Sequence, residues 1–189
     1  EAVSSGEVGC VSSHLKSIKH WYETTDAEYG IFMEDDCDFC SVKHWPFSWR
    51  EFMARIPYDW DCLQIAIINP RRLIANIHPR YVDDFSTACF VVNRRYAEKL
   101  MHFHCRGDKF KLDNGVRPRA VADDLIYNAG RTYAIPLFLY KLELGSTIHP
   151  EHIDAFHKTS REGLDHWWTN QSADMPLDKF FEYDTHELY

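Results

Sequence analysis

The stretch GIFMEDDCDF, residues 30–39, joins a short apolar segment directly to a cluster of acids. Ile31 to Met33 predict a buried strand, because they are apolar and follow a turn-like segment that ends at Gly30. Four acids follow: Glu34, Asp35, Asp36 and Asp38. Carboxylates this close repel one another unless a positive group neutralises them. The stretch therefore predicts either a solvated acidic turn or a site for Mg²⁺ or Mn²⁺, which prefer oxygen ligands.

Apolar strands and helical patterns alternate along the whole chain. Ser4 and Glu7 have the spacing of a capping box, and an apolar stripe continues that helix to about residue 23. Further strands are predicted at 31–33, 60–68, 86–93 and 132–140, and helices near 52–56, 94–103 and 122–129. From Gly145 onward no periodicity is firm. The alternation predicts one α/β domain over residues 1–189, with helices flanking a mixed, mostly parallel sheet. Ligands of such sheets lie beyond the carboxyl ends of strands, where the acids fall.

Charge and composition exclude several classes of function. The formal net charge is −8, which argues against nucleic acid as a partner, since phosphate binding needs a basic face. No apolar run approaches the roughly 18 residues of a membrane helix, and no signal peptide opens the chain. We therefore expect no transmembrane segment and a cytoplasmic location.

The six cysteines are too sparse for a disulfide scaffold in a chain of 189 residues. Their apolar surroundings predict reduced residues of the core. Cys37 and Cys40 have zinc or redox spacing, but a structural zinc site needs a second close pair. The nearest approximation to one is the loose cluster of residues 102–105, which holds two histidines and a cysteine.

Two further groups of residues have catalytic chemistry. Asp123 and Asp124 open the predicted helix after residue 121, where they either complement the helix dipole or supply a general base. The histidine-rich tail offers candidates for a metal ligand and for neutralising a leaving diphosphate, although a chain with 11 histidines has many incidental ones: His149, His152 and His157, with Lys158 and Arg161. His14 lies beside the core position Leu15 and is either a ligand-binding residue or a partly buried histidine of the core.

Together these segments resemble glycosyltransferase family 25, which includes lipopolysaccharide-type and procollagen galactosyltransferases. SSGEVGCVSSHLKSIKHW is similar to the opening signature of that family, and YGIFMEDDCDF to its strand ending in Glu-Asp-Asp. FSTACFVVNRRYAEKLM resembles its small-residue strand and following helix, and VADDLIYNAG with TYAIPLFL its later aspartate segment. These segments occur in the family's order across residues 4–148.

The resemblance implies a GT-A-like, Rossmann-like fold and a metal-dependent, inverting transfer of a hexose, galactose-like, in glycan or lipopolysaccharide biosynthesis. The donor would be a nucleotide-diphosphate sugar, in the first place a UDP-sugar, and the acceptor a carbohydrate hydroxyl. Mn²⁺ or Mg²⁺ would be held by Glu34, Asp36 and His149, and Asp123 or Asp124 would be the base. The implied donor-binding residues are Glu7, Ser13, His14, Glu34 and Asp35.

The family carries an additional N-terminal strand that holds the base of the nucleotide, and the signature here already begins at residue 4. The resemblance therefore implies a chain without that strand, whose exposed sheet edge predicts homodimerisation. Two other functions stay open: a catalytically impaired carbohydrate- or nucleotide-binding relative or fragment of such an enzyme, and a metal-dependent phosphohydrolase that uses the same acids.

Overall fold

The computed structural model describes residues 3–112, 121–142 and 152–183. Helix α1 (Ser5–Thr24) begins with the predicted capping box, in which Ser4 and Glu7 bond each other's backbone N–H groups. The other described α-helices are α2 (Trp49–Arg55), α3 (Arg94–His104), α4 (Ala122–Tyr127) and α5 (Lys158–Asn170). Within the described ranges, no helix is both long and apolar enough to cross a membrane.

The strands in the described ranges form one large sheet and a small hairpin. The large sheet contains β1 (Tyr29–Met33), β2 (Cys37–Asp38), β3 (Cys62–Ala66), β4 (His78–Pro79), β5 (Cys89–Asn93) and β8 (Thr132–Tyr140). Its order is β1-β5-β3-β8-β2, and β4 pairs with part of β8. The hairpin is formed by β6 (Cys105–Arg106) and β7 (Lys109–Phe110).

The sheet is mixed, and the prediction that it is mostly parallel is wrong. Among the described strands, only β3 and β8 pair in parallel, whereas β5 runs antiparallel to both of its neighbours and β2 and β4 run antiparallel to β8. A parallel neighbour needs a crossover, usually through a helix. Residues 67–88 contain no helix, and Ile68 pairs with Phe85 in an antiparallel bridge. The chain therefore turns back on itself and enters β5 in the reversed direction.

Helices cover both faces of the sheet. One face packs on α1, α3 and α4, and strand residues Phe90 and Val92 lie in that core. The alternate residues Cys89 and Val91 lie in the other core, with Phe52 of α2, the α5 side chains and the segment that follows α5. This alternation follows from the two-residue period of a strand. The result is a three-layer α/β/α arrangement, which matches the predicted class.

Strand β8 contains an irregularity at Pro136. The register between β3 and β8 shifts after Gln64, because a proline inside a strand has no N–H for the ladder. The carbonyl of Pro136 instead accepts a hydrogen bond from the indole N–H of Trp168 in α5, at 2.8 Å. The proline thus connects the centre of the sheet to α5.

Gly130, between α4 and β8, is required by close packing. A Cβ atom there would lie 2.6 Å from Oδ2 of Asp61 and still closer to the ring of Tyr96. We expect Gly130→Ala to lower the free energy of unfolding by about 1–3 kcal/mol, as overpacked positions do. Urea denaturation is the measurement.

Gly9 offers the matched control. A Cβ there meets no described atom within 4 Å, and alanine is the better helix former, so Gly9→Ala should stabilise the protein by about 0.5–1 kcal/mol. Equal effects of the two substitutions would contradict the packing argument.

Candidate functional site

Glu34 is held at the end of β1 by three contacts. Its backbone N–H donates to the carbonyl of Ala88 at 2.9 Å. Its carboxylate atom Oε1 accepts a hydrogen bond from Thr87 at 2.7 Å and lies 2.8 Å from Nε2 of His14. Thr87 and Ala88 precede the reversed strand β5, so the acids that follow β1 meet the amino end of that strand. The sequence predicts His14 and Glu34 as site residues, and the structure brings them together.

The buried His14 is held as a cation by its neighbours. Burial lowers the pKa of His14, but hydrogen bonds with Cys10 and Glu34 and the negative charge of Glu34 outweigh it and raise the pKa to about 9. Burial likewise raises the pKa of Glu34, and the His14 contact brings it below its ordinary value. The two side chains therefore form an ion pair at neutral pH.

Cys10 is a member of this cluster that the sequence reasoning missed. Ligand-capable atoms of Cys10, His14 and Glu34 all lie within 4.8 Å of one another. Their sulfur, nitrogen and oxygen atoms form a set typical of Zn²⁺ rather than of Mn²⁺ or Mg²⁺. The signal that would have found Cys10 is its spacing, one helical turn before His14.

Asp36 is a partly buried carboxylate whose negative charge is largely uncompensated by the described residues around it. Its Oδ1 atom is buried and has no hydrogen-bond partner in the described part of the chain. Burial, followed by the charges of Glu34 and Asp35, raises the pKa of Asp36 to about 6. An orphaned, partly buried carboxylate oxygen among other acids fits a divalent cation, which would supply the missing positive charge. Asp35 lies in the exposed turn beside it.

Asp38 forms an ion pair with a basic residue outside the acidic cluster. Its carboxylate lies 2.9 Å from the guanidinium of Arg161 in α5, and it also accepts the backbone N–H of Cys40 at 2.9 Å. Burial raises the pKa of Asp38, but these bonds outweigh burial and lower it. Asp38 therefore fastens α5 to the strand end.

Asp123 reaches the same edge of the sheet from the start of α4. Its Oδ1 accepts the backbone N–H of Ser86 at 2.8 Å and lies 3.8 Å from the guanidinium of Arg80. Burial raises the pKa of Asp123, and the charge of Glu34 contributes in the same direction. Asp124 instead accepts a hydrogen bond from the side chain of Asn128, one turn later on α4, at 3.0 Å. The structure thus distinguishes the two candidate bases.

Ser86, which positions Asp123, has a strained backbone. Its φ of 99° lies in the left-handed region, which favours glycine. Its carbonyl accepts hydrogen bonds from Gln64 and from the phenol of Tyr127, so the strained conformation is held from several sides. Strain of this kind clusters at functional sites.

Three other predicted site residues either lie apart from these carboxylates or fall outside the described residues. Glu7 is buried at the start of α1, where its carboxylate accepts the backbone N–H of Ser4 at 2.7 Å. Ser13 is exposed on α1, and its carbonyl accepts a hydrogen bond from Ser17. His149 lies outside the described residues.

The cysteines are all free, as predicted, but the prediction that they belong to the core holds for Cys37, Cys62 and Cys89, while the other three are partly exposed. Cys37 is buried in β2 and forms a thiol–thiol hydrogen bond with Cys89, while Cys40 lies 3.5 Å from Arg161. Within the described ranges, Cys37 and Cys40 belong to no metal-type group of side chains.

No protein-family model matches this chain, and a search of curated proteins finds no relative. A function can therefore be proposed only from the geometry of the site and from the resemblance of the sequence segments.

We expect Glu34→Gln to lower the pKa of His14 substantially below about 9, because the substitution removes the carboxylate charge. Titration of the imidazole by NMR, in the presence of a chelator, measures this pKa. His20, exposed on the same helix, is the internal reference. An unchanged His14 titration would contradict the ion pair.

The ion pair also predicts a pH dependence of stability. The raised pKa of His14 makes its contribution complete below about pH 6.5 and removes it as the pH rises through about 9. Wild type should therefore lose more stability than Glu34→Gln across that interval, measured by urea denaturation. Parallel curves would contradict this.

We expect Asp36→Asn to stabilise the cation-free protein at pH 7 by about 1–2 kcal/mol, because a raised carboxyl pKa means that folding disfavours the charged form. The difference should disappear as the pH falls through about 6 towards 4, where wild-type Asp36 becomes neutral. Urea denaturation with a chelator measures it. A variant that is less stable at both pH values would contradict the electrostatic strain.

Proposed function

We propose that this chain is a metal-dependent, inverting glycosyltransferase that uses a nucleotide-diphosphate sugar, in the first place a UDP-hexose. The observation that carries the proposal is the buried, unpartnered Oδ1 of Asp36 beside Glu34 and Asp35. The segments resembling glycosyltransferase family 25 support it, as does a further carboxylate, Asp123, near the same acids. The proposed setting is glycan or lipopolysaccharide assembly.

The cation site is assigned to Asp36 first. A bound Mn²⁺ or Mg²⁺ would supply positive charge to the diphosphate and stabilise it as a leaving group. Glu34 contributes less directly, because its Oε1 atom already contacts His14 and Thr87. Asp35 lies at the exposed side of the turn, and His149 remains the proposed ligand from the later part of the chain.

His14 and its neighbours are assigned to the donor. The ion pair with Glu34 holds the imidazole in place, and its positive charge suits the phosphates of the donor. Glu7 supports this region through the start of α1, and Ser13 lies on the exposed side of the same helix.

Asp123 is the proposed base. In an inverting transfer the acceptor oxygen forms a bond to the anomeric carbon while the bond from that carbon to the diphosphate oxygen breaks. The acceptor hydroxyl proton passes to the Asp123 carboxylate, whose charge Arg80, at 3.8 Å, offsets only in part. The raised pKa of Asp123 makes it the stronger base, which favours proton transfer. Asp124, engaged with Asn128, is the second candidate.

Self-association belongs to the same proposal. Strand β1 pairs only with β5 among the described strands, so its other edge offers backbone hydrogen bonds. It carries no charged residue, and Ile31 and Met33 are 41% and 50% exposed. Uncharged edge strands pair readily with other strands, so β1 is the proposed contact of a homodimer.

Calorimetry of UDP binding with Mn²⁺, on wild type and Asp36→Asn, tests the cation site. We expect wild type to bind UDP only when Mn²⁺ is present. Asp36→Asn should weaken this binding by at least about 30-fold, which corresponds to ~2 kcal/mol, because the cation loses its main charged ligand. Asp26→Asn, which removes an exposed acid before β1, is the matched control. A wild type that does not bind UDP with Mn²⁺ would exclude the transferase.

Release of UDP from UDP-galactose, UDP-glucose and UDP-N-acetylglucosamine tests the base. Asp123→Asn should keep UDP binding and lose about 10²–10⁴-fold in turnover, whereas Asp124→Asn should keep both. The opposite pattern would move the base to Asp124. Binding without turnover by wild type would instead support the catalytically impaired relative.

A further inference from the structure

A cavity of about 240 Å³ lies between the loop of residues 67–74, which follows β3, and the first half of α5. Its polar lining includes four side chains that are at least nine-tenths buried, Asn69, His78, Asp84 and Ser160. None of these residues belongs to the carboxylate cluster of Glu34, Asp36 and Asp123. The cavity is therefore separate from the proposed donor site.

The polar groups of the cavity hold one another in fixed positions. Asp84 accepts hydrogen bonds from the side chain of Asn69 at 3.0 Å and from the backbone N–H of Tyr81 at 2.8 Å, and Nε2 of His78 lies 3.3 Å away. Ser160 accepts the backbone N–H of Asn69 at 3.0 Å. A carboxylate has about four lone-pair positions, so Asp84 retains acceptor capacity for a ligand hydroxyl.

Charge and size narrow the class of ligand. The hydrogen bonds of Asp84 outweigh burial and lower its pKa, so the cavity contains a carboxylate. The guanidinium groups of Arg71 and Arg72 line it as well, so its lining carries charges of both signs and selects for neither sign of ligand charge. The apolar side chains Ile67 and Leu164 also line the cavity and suit the C–H face of a sugar ring. Its volume lies below the roughly 300–1,000 Å³ of pockets for drug-sized ligands. These properties favour one uncharged ring with several hydroxyl groups.

Two residues outside the cavity, Arg80 and Tyr140, link its lining to the carboxylates. Arg80 donates to the backbone carbonyl of Asp84 at 2.9 Å and reaches Asp123 at 3.8 Å. Ser160 contacts the phenol of Tyr140, which lies close enough to Asp36 to be affected by its charge. A group bound in the cavity would therefore lie on the side of Asp84 that is joined to the proposed base through Arg80.

We propose that this cavity binds one uncharged hexopyranose ring of the acceptor, a role that rests on the transferase function proposed above. The buried Asp84 and His78 orient the hydroxyl groups, and Arg71 and Arg72, which also line the cavity, contact the parts of the acceptor that extend from it. The acceptor hydroxyl then faces Asp123.

The test uses methyl glycosides of galactose, glucose, mannose and N-acetylglucosamine with protein labelled at the isoleucine and leucine methyl groups. We expect at least one glycoside to shift the NMR signals of Ile67, Ile74 and Leu164, which line the cavity. Gly163 lines it as well, and a Cβ there meets no described atom within 4 Å. Gly163→Trp should therefore fold and weaken glycoside binding about tenfold or more.

Gly9→Trp is the matched control, because Gly9 is a helical glycine with similar space on α1. It should leave glycoside binding unchanged. The proposed acceptor site would be overturned if no glycoside shifted these methyl signals, or if Gly163→Trp bound a glycoside as tightly as wild type does. UDP binding with Mn²⁺ on the same proteins separates the two proposals: glycoside binding in this cavity without UDP binding would keep the sugar site and exclude the transferase.

Discussion

The side-chain amide of Gln64 is the constraint on which the edge of the sheet that carries the candidate site depends. Gln64 is fully buried in the central strand β3, and its Nε2 lies 2.9–3.1 Å from the consecutive carbonyls of Asp84, Phe85 and Ser86. Its Oε1 accepts a hydrogen bond from Arg80 at 2.9 Å. A buried amide without partners would destabilise the fold, so segment 80–86 must stay against β3. One side chain thus determines where the returning chain lies.

The direction of β5 follows from that anchor, and the site follows from the direction. Once Ser86 is held against β3, the chain enters β5 reversed, between β1 and β3. Thr87 then meets Glu34, and the backbone N–H of Ser86 meets Asp123. A crossover into a parallel strand would place the amino end of β5 at the opposite edge of the sheet. The strained φ of Ser86 is compatible with folding because so many hydrogen bonds fix this segment.

Much of this architecture is visible in the sequence, because it depends on local signals. The capping box starts α1 where predicted, and TYAIPLFLY forms β8 over its full length. The direction of β5 could not be predicted in this way, because it depends on how residues 67–88 fold. A glutamine inside an apolar strand does not reveal that its side chain bonds three backbone carbonyls. Helix α5 is not predicted because Leu164, Trp167 and Trp168 keep helical spacing over little more than one turn, and residues 158–163 before them supply no apolar side chain.

The candidate site was only partly predictable for a related reason. Sequence spacing groups Glu34, Asp35, Asp36 and Asp38 as equivalent acids. In the structure, Glu34 pairs with His14 and Asp38 pairs with Arg161. Asp36 has a buried carboxylate oxygen without a hydrogen-bond partner among the described residues. Those assignments depend on residues 20 and 123 positions away in the chain, which no local pattern encodes.

The unequal compensation of these acids separates two kinds of role. Glu34 and Asp38 have pKa values below their ordinary ones, so their ionised forms stabilise the fold without any ligand. Asp36 and Asp123 have raised pKa values, so their charges oppose folding until a cation or a proton reaches them. A cation gains most free energy beside a carboxylate whose charge the protein alone leaves uncompensated. The chemistry of the proposed transferase is therefore assigned to Asp36 and Asp123, whereas Glu34 and Asp38 stabilise the part of the fold that carries them.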